Sequence, residues 1–184
     1  MVAASYKKIK TKTYNMKPRV SIIMGSTSDL PVMEKAAKLL DEWEIPFELC
    51  ALSAHRTPAE VEDFARTAKS RGVEVIIAGA GMAAALPGVI AANTTVPVIG
   101  VPIKGSVLDG MDAMYAILQM PPGIPVATVA INGAMNAAIL AVQMMALADT
   151  HLAERLEEYK EQLKEKIKKA NADLAQVSYK FKVN

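Results

Sequence analysis

Cysteine is almost absent from this sequence. Cys50 stands alone, so no internal disulfide can form and nothing points to an oxidising compartment. Histidine is nearly as rare, with only His55 and His151, and no His, Cys, Asp or Glu grouping has the spacing of metal ligands. Aromatic residues make up 5%, so the core has to be built from Ala, Val, Ile, Leu and Met. No run of about 18 apolar residues escapes interruption by Gly, Pro or polar residues, and no membrane span is expected. Charge of one sign is also missing: the formal net charge of +2 is far from the basic stripe of a nucleic-acid binder. Neither a Walker loop nor a G-x-S-x-G elbow is present.

What remains favours one folded domain. Hydrophobic residues are 52% and charged residues 22% of 184, ample for a buried core. Residues 1–17, "MVAASYKKIKTKTYNMK", read as a basic arm without an apolar segment of the secretory kind, disordered or preceding a second initiator at Met16. Residues 18–149 read as the α/β domain, and residues 150–184 as a C-terminal helix and tail that makes oligomer contacts.

From Arg19 the chain alternates β-rich runs with helical ones. "RVSIIM", "FELCAL", "VEVIIAG", "VPVIGVP" and "GIPVATVAI" read as strands, each followed by a helical stretch. Five buried strands separated by helices predict βαβ units: a doubly wound parallel sheet in a flavodoxin-like three-layer sandwich with a C-terminal helical arm. On that arm Leu152, Leu156, Tyr159, Leu163 and Ile167 form an apolar stripe that another surface must cover, so a homo-oligomer is expected.

In such a sheet ligands bind beyond the carboxyl ends of the strands. After the first strand, Gly25 is expected to permit a tight turn, with Ser26, Thr27 and Ser28 supplying donors for an anion at a helix start. Asp29 would repel a phosphate directly beside it but accepts hydrogen bonds from sugar hydroxyls. The competing reading is that Ser28 or Asp29 only caps the helix. After the second strand, Ser53 and Ala54 lead to His55, a proton carrier near neutral pH, and Arg56, a cation for phosphate or carboxylate. Thr57 before Pro58 reads as an N-cap with proline at the first helical position. After the third strand, the small residues from Ala78 to Gly88 let a ligand approach bare backbone, or simply pack helix on sheet. The residues thus suggest a small phosphorylated, carboxylated ligand with His55 as the evident proton carrier.

Taken together and in order, "GSTSDLPVM", "SAHRTP", "VIIAGAGMAAALPGVIAA", "VPVIGVP" and "MPPGIPVATVAING" resemble the N5-carboxyaminoimidazole ribonucleotide mutases of purine biosynthesis, over roughly Arg19 to Asp149. The resemblance implies an isomerase that moves a carboxylate from the exocyclic nitrogen to ring carbon four, through decarboxylation and recarboxylation, with no ATP, metal or organic cofactor. It implies His55 as general acid and base. Ser26, Ser28 and Arg56 match phosphate-side contacts, Asp29 the ribose contact, and Ser53 with the backbone of Ala80 and Gly81 the carboxylate site. A cytoplasmic homo-octamer acting on a small molecule, with neither nucleic acid nor membrane as partner, is the implied setting.

Two positions depart from the pattern. Ala85 replaces a histidine found in many members, and Met82 stands where glycine is common. The alternatives are a direct carboxylase using carbon dioxide, or an inactive nucleotide-binding homologue, for which the Ala85 change speaks. Against the carboxylase, that class typically carries lysine after the histidine, where this chain has Arg56. A flavin-binding protein is disfavoured because the strand-end loops hold no aromatic ring.

Overall fold

The computed structural model describes residues 16–183; nearly all of the basic arm assigned to residues 1–17 lies outside it. Five strands run in chain order: β1 (Val20–Met24), β2 (Phe47–Ala51), β3 (Val75–Gly81), β4 (Val98–Ile103) and β5 (Ala127–Thr128). Six helices interleave with and follow them: α1 (Leu30–Glu42), α2 (Pro58–Arg71), α3 (Leu86–Ala92), α4 (Met111–Leu118), α5 (Ala134–Ala146) and α6 (Thr150–Ala175). All strands pair in parallel in the order β2-β1-β3-β4-β5, the flavodoxin-like doubly wound arrangement. The strand order reverses between β1 and β3, which sets the crevice there.

The three central strands are buried on both faces, which is why β1, β3 and β4 read as continuous apolar runs. On one face Ile22, Ile77 and Val101 meet α1, α5 and the start of α6, including Met33, Leu40, Ala138 and Leu156. On the other, Ile23, Ile76 and Val98 meet α2, α3 and α4, including Val61, Ala65, Ile90 and Ile117. Each fully buried Ile or Leu contributes about 1.5–3 kcal/mol relative to exposure. Edge strand β2 is only half-buried, with Leu49 exposed. Ser21, the buried polar residue of β1, donates its hydroxyl to Glu48 across the β1–β2 pair, and Arg71 holds the same carboxylate at 2.9 Å.

Several elements are shorter than their sequence patterns. The strand expected over "GIPVATVAI" pairs with β4 only at Ala127–Thr128, with the Val129 N–H bonding the Gly100 carbonyl at 3.1 Å, because it lies at the sheet edge and leaves the ladder soon after. The helix after β3 begins only at Leu86, since the backbone of Met82 is left-handed (φ 55°) and delays it. α2 stops at Gly72, whose backbone lies in the left-handed region (φ 99°). The apolar stripe of α6 divides: Leu152 and Leu156 are buried and Tyr159 packs edge-on to Trp43, whereas Leu163 and Ile167 are exposed.

Candidate functional site

A cavity of about 750 Å3 opens beyond the carboxyl ends of β1, β2, β3 and β4. Ser26, Ser28, Asp29, Ser53, His55, Arg56, Ala80 and Gly81 all line it. Three separate loops bring these residues to one place; Thr27 does not line the cavity.

The β1 loop is held by its own hydroxyls. Ser26 Oγ accepts from the Ser28 backbone N–H at 3.3 Å and so caps a single 3-10 turn, Thr27–Asp29, ahead of α1. Asp29 stands at the N-cap position of α1 but makes no side-chain capping bond, so its carboxylate is not spent on the helix. Ser28 donates weakly to Asp29 Oδ1 at 3.4 Å. Desolvation pushes the Asp29 carboxyl above its ordinary value; the Ser28 hydroxyl, the Ser26 backbone and the Arg56 charge pull the other way. Gly25 corrects the sequence expectation: it is not in the left-handed region, and an added Cβ would meet only Asp29 Oδ2, at 3.9 Å. The turn does not require glycine; the position is bare on the cavity wall.

The β2 loop folds around Ser53 and Thr57. Thr57 sits at the N-cap position of α2 with proline following, yet its hydroxyl makes no cap. It accepts from the Ser53 N–H at 2.9 Å and donates to the Ser53 carbonyl at 3.1 Å, closing the loop on itself. The Arg56 N–H also bonds Ser53, to Oγ at 3.3 Å. His55 is thereby presented at the exposed tip of a pinned loop, and the Arg56 guanidinium reaches the Gly25 carbonyl at 2.8 Å.

The third wall is the turn from Ala80 to Ala85, small residues apart from Met82, which is two-thirds exposed. Left-handed backbone at a methionine is strained, on the order of 1 kcal/mol, and so marks this turn as held by its surroundings. A fourth wall was not anticipated: Ile103, Lys104, Gly105, Ser106 and Asp112 close the cavity from the end of β4 and the start of α4. The rule about strand carboxyl ends applies equally to "VPIKGS", so the signal was present in the sequence. Lys104 Nζ pairs with Asp109 at 2.9 Å, and its backbone N–H bonds Asn132 Oδ1 at 2.9 Å. Among the described residues no group of three His, Cys, Asp or Glu could hold a metal ion, and no helix is long and apolar enough to cross a membrane.

The stretch of chain that builds this cavity at the switch point matches a known family. The family model described as AIR carboxylase matches residues 19–166. The chain belongs to the AIR carboxylase family. It is 57% identical over 147 residues to the N5-carboxyaminoimidazole ribonucleotide mutase of Pyrococcus abyssi, covering 80% of this chain and 84% of that protein. It is 52% identical to the mutase of Thermotoga maritima, covering 91% and 98%. The phosphoribosylaminoimidazole carboxylase of Candida glabrata is 53% identical over 89% of this chain, but the match spans 29% of that longer protein. The crystal structure of Treponema denticola PurE superposes with a TM-score of 0.77 at 31% identity, covering 85% of this chain and 98% of that one.

Proposed function

We propose that this protein is an N5-carboxyaminoimidazole ribonucleotide mutase, an isomerase of purine biosynthesis, with His55 as its general acid and base. The single observation that carries the reading is the convergence of His55 and Arg56 with Ser26, Ser28 and Asp29 on one cavity at the sheet's switch point. Relatives at more than half identity carry that name, which supports the reaction type.

Ser26, Ser28 and Arg56 take the substrate phosphate, and Asp29 accepts from the ribose hydroxyls. Ser53 and the backbone of Ala80 and Gly81 hold the carboxylate. The bond from the exocyclic nitrogen to the carboxyl carbon breaks, its electron pair stays on nitrogen, and His55 delivers a proton there as carbon dioxide departs. The cavity walls keep carbon dioxide beside the ring, a proximity effect. Ring carbon four, the enamine position, then attacks it. His55 removes the hydrogen from that carbon, so the proton given is recovered and aromaticity returns. One titratable group suffices because the reaction consumes no net proton.

The oligomer belongs to the proposal as well. Leu108, Met111, Tyr115 and Leu118 present an exposed apolar face on and beside α4, and Leu163 and Ile167 another on α6. Further copies of this chain in a cytoplasmic homo-octamer cover both.

The fungal relatives keep a second reading in view, direct carboxylation of aminoimidazole ribonucleotide. Supplying the N-carboxylated ribonucleotide and, separately, aminoimidazole ribonucleotide with bicarbonate decides between them. The mutase converts the first far faster at low bicarbonate; faster conversion of the second makes the protein a carboxylase. Binding without turnover of either makes it an inactive homologue, and restoring activity by Ala85→His would locate the lesion.

A further inference from the structure

Met82 follows directly on Ala80 and Gly81 at the end of β3, lines the cavity and is two-thirds exposed. Its φ of 55° lies in the left-handed region, which strains any residue with a Cβ and leaves glycine free. A lone methionine on a surface needs no explanation. One that carries backbone strain on the wall of a cavity does, because strain of this kind gathers where a protein uses it. The direction of the side chain is given by its neighbour: Met82 Cγ lies 3.8 Å from where a Cβ on Gly105 would stand. Met82 therefore leans from the third wall of the cavity to the fourth, over the bare position of Gly105. Val107, on the same loop as Gly105, adds a second exposed apolar residue to the cavity's lining.

We infer that Met82 closes the cavity over the released carbon dioxide and keeps it from the solvent between decarboxylation and recarboxylation. The inference rests on the mutase reading, which holds the migrating carboxylate at Ser53 and the backbone of Ala80 and Gly81, the residues that Met82 follows. Carbon dioxide is uncharged and has no hydrogen-bond donor, so the contacts that held the carboxylate weaken as it forms. Confinement then passes to the shape of the walls. An unbranched thioether packs against a small apolar molecule and adapts to it, without offering a nucleophile that competes with the ring. Gly105, with no side chain, leaves Met82 room to move between its present position and one nearer the ligand. Ring carbon four then meets the carbon dioxide that its own substrate released rather than one from solution. Met82 moves no proton in this scheme; it is a positioning residue.

The test is isotopic. The unlabelled N-carboxylated ribonucleotide is supplied to the unaltered full chain and to its Met82→Ala and Met82→Leu variants in isotopically labelled bicarbonate. Carbonic anhydrase is present to pass the label to dissolved carbon dioxide. Mass spectrometry reads the label in the first carbon-carboxylated product formed, beside the aminoimidazole ribonucleotide set free. The unaltered chain should take up little label. Met82→Ala, which keeps a Cβ at the same backbone angle and removes the thioether, should raise both readings severalfold and melt with the unaltered chain. Met82→Leu, which keeps apolar bulk, should stay close to the unaltered chain. No rise in either reading with Met82→Ala overturns the inference, whatever happens to its turnover or melting temperature. An equal rise with Met82→Leu overturns it as well, by assigning the effect to the loop rather than to apolar bulk. Product labelled to the level of the solution by the unaltered chain overturns the inference alone. Failure of the unaltered chain to convert the N-carboxylated ribonucleotide overturns the mutase reading and the inference with it.

Discussion

Arg56 joins two loops that lie 31 residues apart: its Nη2 donates to the carbonyl oxygen of Gly25 at 2.8 Å. The β2 loop that carries His55 is therefore tied to the β1 loop that carries Ser26, Ser28 and Asp29. A single guanidinium braces the loops and, on the proposed reading, contacts the substrate anion with its other N–H groups, a pairing that lysine cannot reproduce.

Arg56→Lys should therefore raise KM for the phosphorylated substrate about ten- to a hundredfold, the range of a charge-assisted bond. The check is steady-state kinetics beside binding of the nucleoside that lacks phosphate. Nucleoside binding should change little; an equal loss for nucleoside and nucleotide would assign Arg56 to the brace alone.

On the proposed reading, Asp29 sets stability against function. Its carboxyl is raised by desolvation, so the folded state favours the protonated form. The stability this group contributes is full at low pH and declines as pH rises through the carboxylate range. Asp29→Asn should then melt no lower than the unaltered chain at neutral pH, and the difference should vanish in acid. Ligand affinity should fall nonetheless. Thermal melts at several pH values, with and without aminoimidazole ribonucleotide, read both effects.

The junction of sheet and arm should respond to acid. Arg19 bonds Asp149 at 2.9 Å, and that bond holds the Asp149 carboxyl below its usual value, helped by the Leu152 N–H that it caps. A depressed acid contributes stability above its unfolded pKa and loses it as pH falls through the folded value. Asp149→Asn keeps a capping oxygen and removes only the charge. Its melting temperature should lie below the unaltered chain's at neutral pH and converge with it in acid. Parallel curves at every pH would contradict the assignment.

Gly100 has no room for a side chain. On β4, an added Cβ would overlap Ile117 Cγ2 and lie 3.0 Å from Val126 Cγ1. Gly100→Ala should cost about 1–3 kcal/mol of stability, the range of overpacking, as measured by denaturant unfolding. Gly25→Ala meets nothing closer than 3.9 Å and should leave stability unchanged.

The parallel sheet was legible because β1, β3 and β4 are buried on both faces and so write unbroken apolar runs. β5 was overread: at a sheet edge the chain leaves the ladder after two residues, and apolarity does not encode where pairing ends. The three loops at the site were legible because glycines, serines and the His55–Arg56 pair sit at strand ends. The role of Thr57 was not, since a residue at an N-cap position need not spend its side chain on the cap; at Asp29 the same fact removes the capping reading and leaves the sugar-acceptor one. Asp112 was hidden for another reason: it lies within a helical pattern, eight residues beyond Lys104, and only the return of α4 toward β4 brings it to the cavity.

Cys50 follows the same logic of burial. Desolvation, with Glu48 adding to it, pushes its thiol up to about 11. It should react slowly with iodoacetamide at neutral pH in the folded protein and quickly after denaturation.

The central claim is that His55 moves the protons. The most direct measurement is turnover of the N-carboxylated ribonucleotide by His55→Asn, beside its affinity for aminoimidazole ribonucleotide. The account predicts turnover reduced at least a hundredfold, the lower end of general acid–base catalysis, with affinity and melting temperature close to those of the unaltered chain. Near-normal turnover by His55→Asn would contradict it.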